Sequence, residues 1–143
     1  MKIGIYYGST TGNTKAVAES IKSALAGHDV VCSSIAGIAE EKLASYDLLI
    51  LGISTWGCGD LQEDWEAFIP KLEKLDLSGR KVALFGVGDQ SGWGDTFVDA
   101  MGILYEKLGE RGAAIIGSWP IDGYEHVSFS VFVIGVFLCL GID

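Results

Sequence analysis

Apolar and polar positions follow one another along this chain in two rhythms. Ile3 to Tyr7 is a short apolar run closed by Gly8. From Asn13 to Ala26, the residues Ala16, Val17, Ile21 and Leu25 recur at helical spacing, and Gly27 ends the pattern. Val30 to Cys32 reads as a second strand and Glu40 to Ala44 as a weak helix. Leu48 to Ile53 is continuously apolar, as a strand covered on both faces should be. Gln62 to Lys74 sets Trp65, Phe68, Ile69 and Leu72 on one helical side, with Pro70 expected to kink or shorten it. Lys81 to Val87 is another buried strand. Thr96 to Arg111 turns Phe97, Ala100, Met101, Leu104 and Leu108 inward and stops at Gly112; Ala113 to Trp119 is a fifth strand.

Strands separated by helices at this interval form parallel βαβ units. The expected fold class is therefore α/β, an open doubly wound sheet of five strands. Neither repeats nor linkers divide the chain, so residues 1–143 read as a single domain. In such sheets ligands lie beyond the carboxyl ends of the strands, where the strand order switches. That rule directs attention to the residues after Tyr7, Ile53 and Val87.

Composition narrows the function. The 143 residues are 49% apolar and 20% charged, enough for one domain with a real core. Nineteen acids against ten bases give a net charge of −9. This speaks against nucleic-acid binding through phosphate neutralisation and suits a partner with a basic face. Cys32, Cys58 and Cys139 are odd in number and widely spaced, with no CxxC pair for zinc. A reducing, cytoplasmic compartment is the simplest reading. The apolar start is too short for a signal peptide. Val127 to Ile142 lacks charge over 16 residues, short of a spanning helix, and its alternation Val127-Ser128-Phe129-Ser130-Val131 reads as buried β rather than membrane.

Three loops carry the candidate chemistry. After the first strand, Gly8-Ser9-Thr10-Thr11-Gly12-Asn13-Thr14 brings hydroxyls and glycines to a helix start, a cradle for an anion held by neutral donors. It is neither a Walker loop nor GxGxxG, and such a loop serves equally well as a helix cap. After the third, Ser54-Thr55-Trp56-Gly57-Cys58-Gly59-Asp60 sets a tryptophan among glycines, to stack on something flat or to pack under its own loop. After the fourth comes Gly86-Val87-Gly88-Asp89-Gln90-Ser91-Gly92-Trp93-Gly94-Asp95. Here Asp89, or the backbone near it, suits the polar edge of a ring, while Asp95 reads as a helix N-cap. Each loop is weak alone. Together, after strands one, three and four, they suit one ligand with a phosphate and a flat ring.

With these motifs the chain closely resembles flavodoxin. Ser9-Thr10-Thr11-Gly12-Asn13-Thr14 matches the family's phosphate loop, Thr/Ser-x-Thr-Gly-x-Thr. Thr55-Trp56 with Gly57-Cys58-Gly59-Asp60-Leu61-Gln62 is similar to its first ring-binding loop, and Gly86-Val87-Gly88-Asp89-Gln90 to its second. Trp119 and Asp122-Gly123-Tyr124 resemble the start of the long-chain subgroup's insertion, at about 120–136, which interrupts the last strand. The resemblance implies a flavodoxin-like sheet of order 2-1-3-4-5 with helices on both faces. It implies one non-covalent FMN and a low-potential one-electron carrier, not an enzyme, with no catalytic or metal residue. By the same resemblance Ser9, Thr10, Thr11, Gly12, Asn13 and Thr14 hold the phosphate, and Trp56 and Trp93 flank the isoalloxazine. Ser54, Thr55, Gly57, Cys58, Gly59, Gly88, Asp89 and Phe97 complete the cofactor-binding set. Gly57-Cys58 lies where the family's backbone peptide flips on reduction. A monomer is implied, docking transiently with a reductase and acceptor enzymes at an acidic rim around the flavin edge.

The acids Asp60, Glu63, Asp64 and Glu66 follow the first ring loop with no base among them. At about 10 Å and an effective dielectric of 20, each repels a further negative charge by roughly 1.7 kcal/mol. The same acids are favourable in a first helical turn. Cys58, without a histidine or resolving cysteine beside it, reads as a plain loop residue, and His28 and His126 as surface residues.

Three departures from the family stand out. Trp93 sits where tyrosine is usual. Val127 to Leu140 is apolar where the insertion is polar, although Gly135, Phe137, Leu140 and Asp143 keep the pattern. The family's last helix falls beyond Asp143. Three good helices and one weak one also leave one face of five strands short of cover. Burying about five side chains under a further helix is worth roughly 8–15 kcal/mol before entropy, comparable with a domain's net stability. The expectation is an incomplete chain or a tail of altered identity, or else residues 127–140 folded over the bare face. The alternative functions are an FMN-dependent quinone reductase of the same fold, a phosphate-receiver module and a cofactor-free interaction domain. The first needs a pocket that Trp93 would close. The second needs a carboxylate where Gly8 and Ser9 stand.

Overall fold

A computed structural model describes residues 2–8, 12–56, 60–61, 63–87 and 99–115. In chain order the elements are β1 (Lys2–Tyr7), α1 (Asn13–Ala24), β2 (Asp29–Ser34), a 3-10 helix (Glu40–Ser45), β3 (Leu48–Trp56) and β4 (Asp60–Leu61). There follow α2 (Glu63–Leu72), β5 (Lys81–Val87), α3 (Asp99–Glu110) and β6 (Ala114–Ile115). Five strands lie parallel in the order β2-β1-β3-β5-β6, and the two-residue β4 pairs antiparallel with the end of β3. Counting the parallel strands alone, this is the expected order 2-1-3-4-5.

The period of two along the strands sorts side chains to the two faces. Leu49, Leu51 and Ile53 of β3, with Val82 and Leu84 of β5, pack under Trp65, Phe68 and Leu72 of α2 and Leu104 and Leu108 of α3. Leu43 of the 3-10 helix joins them. On the other face Ile3, Ile5 and Tyr7 of β1, Ile50, Ala83 and Phe85 pack against Val17 and Ala18 of α1. Helices therefore cover both faces.

Several boundaries differ from the pattern. In α1 the inward stripe is Thr14, Val17 and Ala18 with Ile21 and Leu25 at its margin, while Ala16 is exposed. An alanine fits either side of a helix, so apolarity alone misplaces it. The helix ends at Ala24, where the Leu25 N–H caps Ile21 and Lys22 carbonyls, ahead of Gly27. β2 extends to Asp29 and Ser34 because the parallel ladder with β1 continues over polar residues. Pro70 sits inside α2, which stops at Leu72 rather than Lys74. Gly112, at φ 85°, closes α3 as expected, with the Ala113 N–H reaching back to the Leu108 carbonyl at 3.2 Å. The helix start at 96–98, the strand residues 116–119 and the insertion at 120–136 lie outside the described residues, as does the apolar tail.

Two strand glycines are needed for close approach. A Cβ on Gly4 would lie 2.7 Å from the Tyr46 ring, and one on Gly52 would lie 2.1 Å from the Phe85 ring tip. The Gly4 gap lets Tyr46 lie beside Tyr6, ring centroids 5.8 Å apart, with their buried hydroxyls 2.6 Å apart. Gly27 has open space around the same position. Gly52→Ala is expected to cost about 1–3 kcal/mol in urea unfolding, as overpacking does. Gly27→Ala should stay within about 0.5 kcal/mol of the parent. Equal effects at the two sites would refute this account of Gly52.

Candidate functional site

The carboxyl ends of β1, β3 and β5 meet at the edge where strand order reverses, but they do not end level. Tyr7 pairs with Gly52, and Val87 pairs with Ser54. β3 thus continues to Trp56, four residues beyond the end of β1. It then turns back as a hairpin, with Thr55 opposite Leu61 and Trp56 opposite Asp60 across residues 57–59. Ser54, Thr55 and Trp56, read above as loop, are strand. The pairing with β4 supplies the backbone partners that extend it, a long-range fact that local polarity hides.

After the carboxyl end of β1, α1 begins. Gly12 precedes it at φ 95°, ψ −6°, a left-handed conformation suited to glycine, and its carbonyl accepts the Ala16 N–H at 3.0 Å. The first turn of α1 contains no acid, whereas Glu63, Asp64 and Glu66 fill the first turn of α2 and Glu40 and Glu41 that of the 3-10 helix. The first turn of α1 thus sets no negative charge of its own at the positive end of the dipole. Thr14, in that turn, is 1% exposed, the one buried polar residue among those described. Glu63 and Glu66 are exposed on α2, next to the hairpin in sequence.

Of the predicted site residues, Gly12 and Thr14 are placed together at the α1 start, and the backbones of Asn13, Ser54, Thr55 and Trp56 lie at the same edge. Ser9, Thr10, Thr11, Gly57, Cys58, Gly59, Gly88, Asp89, Trp93 and Phe97 lie outside the described residues, as does Asp95. One contributor was read only as core. The Trp65 indole N–H donates to the Gly52 carbonyl at 2.8 Å, and the Gly8 N–H donates to the same oxygen at 3.1 Å. Sequence spacing identifies Trp65 as inward but contains no signal for that bond.

A doubly wound parallel sheet, with an acid-free helix start at its point of strand reversal, is the architecture of an open α/β nucleotide-binding protein. A flavodoxin family model matches residues 5–135. Similar curated proteins include a flavodoxin from Picosynechococcus, 43% identical over 99% of this chain and 84% of that protein. Flavodoxin 2 from Escherichia coli is 43% identical over 90% of this chain and 74% of its own length. Among solved structures, Fusobacterium nucleatum flavodoxin bound to flavin mononucleotide aligns with TM-score 0.87 at 27% identity, covering 96% of this chain and 84% of that one. Oxidised flavodoxin 2 from Bacillus cereus aligns with TM-score 0.76 at 38% identity, covering 97% and 86%. The chain belongs to the flavodoxin family, whose members are electron-transfer proteins rather than enzymes. No helix among the described residues is long and apolar enough to cross a membrane.

Cys32, on β2, is a free thiol. Burial, and then the neighbouring Glu19 carboxylate, push its pKa from 9.0 up to about 11. At pH 8 its thiolate fraction should be ~100-fold below that of an unperturbed cysteine, with alkylation slowed accordingly. The raised value means the folded state holds the proton more tightly than the unfolded one. Its stabilising contribution is complete below about pH 9 and is lost as pH rises through about 11. Comparing Cys32→Ser with the parent in urea at pH 8 and 11 checks the sign: the parent should lose more stability than the variant across that interval.

Proposed function

We propose that the protein is a low-potential one-electron carrier that holds FMN at the carboxyl edge of the sheet, with the phosphate at the α1 start. The observation that carries this reading is the contrast between helix starts: α1 alone of the three starts with described first turns has no acid there. The donor set fits the group. Backbone N–H groups, the hydroxyl-rich segment Ser9-Thr10-Thr11 and Thr14 suit a dianion without a lysine or arginine in the loop. Bound FMN supplies reversible electron uptake at its ring.

The chain's own residues bind, orient and shield. Residues 9–14 would hold the phosphate, and Trp56 and Trp93 would flank the ring. Ser54, Thr55, Gly57, Cys58, Gly59, Gly88, Asp89 and Phe97 would complete the contacts. The position of the hairpin beyond the level of β1 supports this assignment. The resemblance of Trp119 and Asp122-Gly123-Tyr124 supports a long-chain member with an insertion at about 120–136. The exposed acids Glu63 and Glu66, with a net charge of −9, suit brief docking of basic-faced partners, a reductase and acceptor enzymes. The protein would act as a monomer in the cytoplasm.

Mixing the purified chain with FMN and following its visible spectrum through stepwise reduction tests the reading. Two resolved one-electron steps are expected, and a single two-electron step would favour the quinone-reductase alternative. The phosphate assignment has its own test. Riboflavin, lacking the phosphate, should bind at least ~100-fold more weakly than FMN, since charge-assisted hydrogen bonds contribute about 1.5–3 kcal/mol each. Equal affinities would remove the phosphate from the α1 start.

A further inference from the structure

We propose that Trp65 is a positioning residue for the flavin site: its indole N–H locks the base of the β3–β4 hairpin to the strand bearing the phosphate loop, through the Gly52 carbonyl. This deepens the FMN-carrier reading and rests on it. The carbonyl has two lone pairs, and both are engaged, by the Gly8 N–H at 3.1 Å and by the Trp65 indole at 2.8 Å. Gly8 opens the segment that runs to α1, and Trp65 lies in the first turn of the helix that follows the hairpin. Gly52 is also the cross-strand partner of Tyr7 and of Phe85. Phe85 fills the space a Gly52 side chain would need. One backbone oxygen thus joins the β1 end and the α2 start on the strand that continues into the hairpin, with β5 packed against it.

The bond closes the chain from Gly52 to Trp65 into a loop, inside which Thr55 pairs with Leu61 and Trp56 with Asp60. Trp65 is fully buried, edge-on to Phe68 with ring centroids 5.9 Å apart. A buried indole without its bond would leave a polar group unsatisfied, so the contact is held tightly. A protein separates the redox states of its cofactor only by differential contacts with them. A hairpin released at its base adapts to each state and discriminates less.

The test uses FMN-loaded protein. Trp65→Phe keeps an aromatic ring at the site and removes the donor. Phe68→Leu disturbs the same packing and keeps the indole bond. In W65F the ratio of equilibrium constants for the two one-electron steps should fall about tenfold, a narrowing of the two midpoint potentials by about 59 mV. In F68L the ratio should stay at the parent value, and Gly8 amide exchange should accelerate only in W65F. Equal redox behaviour in the two variants overturns the proposal. Should W65F fail to fold, the parent decides: a Trp65 indole proton as protected as the Leu51 amide supports the lock, and exchange at solvent rate overturns it. A parent that folds but takes up no FMN removes the carrier reading and this proposal with it. A parent that binds FMN while W65F matches F68L removes the lock alone.

Discussion

Leu49, Leu51 and Ile53 enter one apolar cluster while Ile50 enters the other, so β3 cannot slip by a single residue without exchanging the two sets. The neighbouring strands inherit that constraint. β1 and β5 pair along β3 in parallel register, and their own side chains alternate between the same two clusters. Within that sorted run, at Gly52, a ring from β5 takes the place of a side chain and a backbone oxygen collects two donors. The β3 residues proposed to meet the ligand thus follow a point at which β1, β5 and α2 all hold the strand. A site built on rigid elements holds its geometry better than one built on free loops.

Beyond that point the chain uses the helix dipole in two opposite ways. α2 answers the positive end of its dipole with its own acids, Glu63, Asp64 and Glu66. α1 begins at a left-handed glycine with no acid in its first turn. The same electrostatics that stabilise a surface helix in one place would favour, in the other, the anion proposed above. Glu63 and Glu66 are exposed on α2 after the hairpin, and in the proposed carrier they would suit partners of opposite sign.

Much of this was legible from residue order. The strand runs Leu48 to Ile53 and Lys81 to Val87, the Trp65-Phe68-Leu72 stripe and the glycine closing α3 all follow from nearest-neighbour physics: period, propensity and capping. The hydroxyl- and glycine-rich segment 9–14, proposed to hold the phosphate, could be singled out from the sequence because its residues are contiguous. Less so were Ala16, which either face of a helix accepts, and Ser54 to Trp56, whose polar start resembles a loop until β4 pairs with it.

Sequence by itself determined the order of elements, the two-sided burial of the central strands and the family to which the chain belongs, because those features repeat at short, regular intervals. Tertiary structure alone decided that Gly8, Gly52, Trp65 and Phe85 meet. Their contacts join residues far apart in the chain, and no local pattern encodes which carbonyl a buried indole will find. Only the folded sheet brings a donor from the helix after the hairpin to the same oxygen as the Gly8 amide that follows β1.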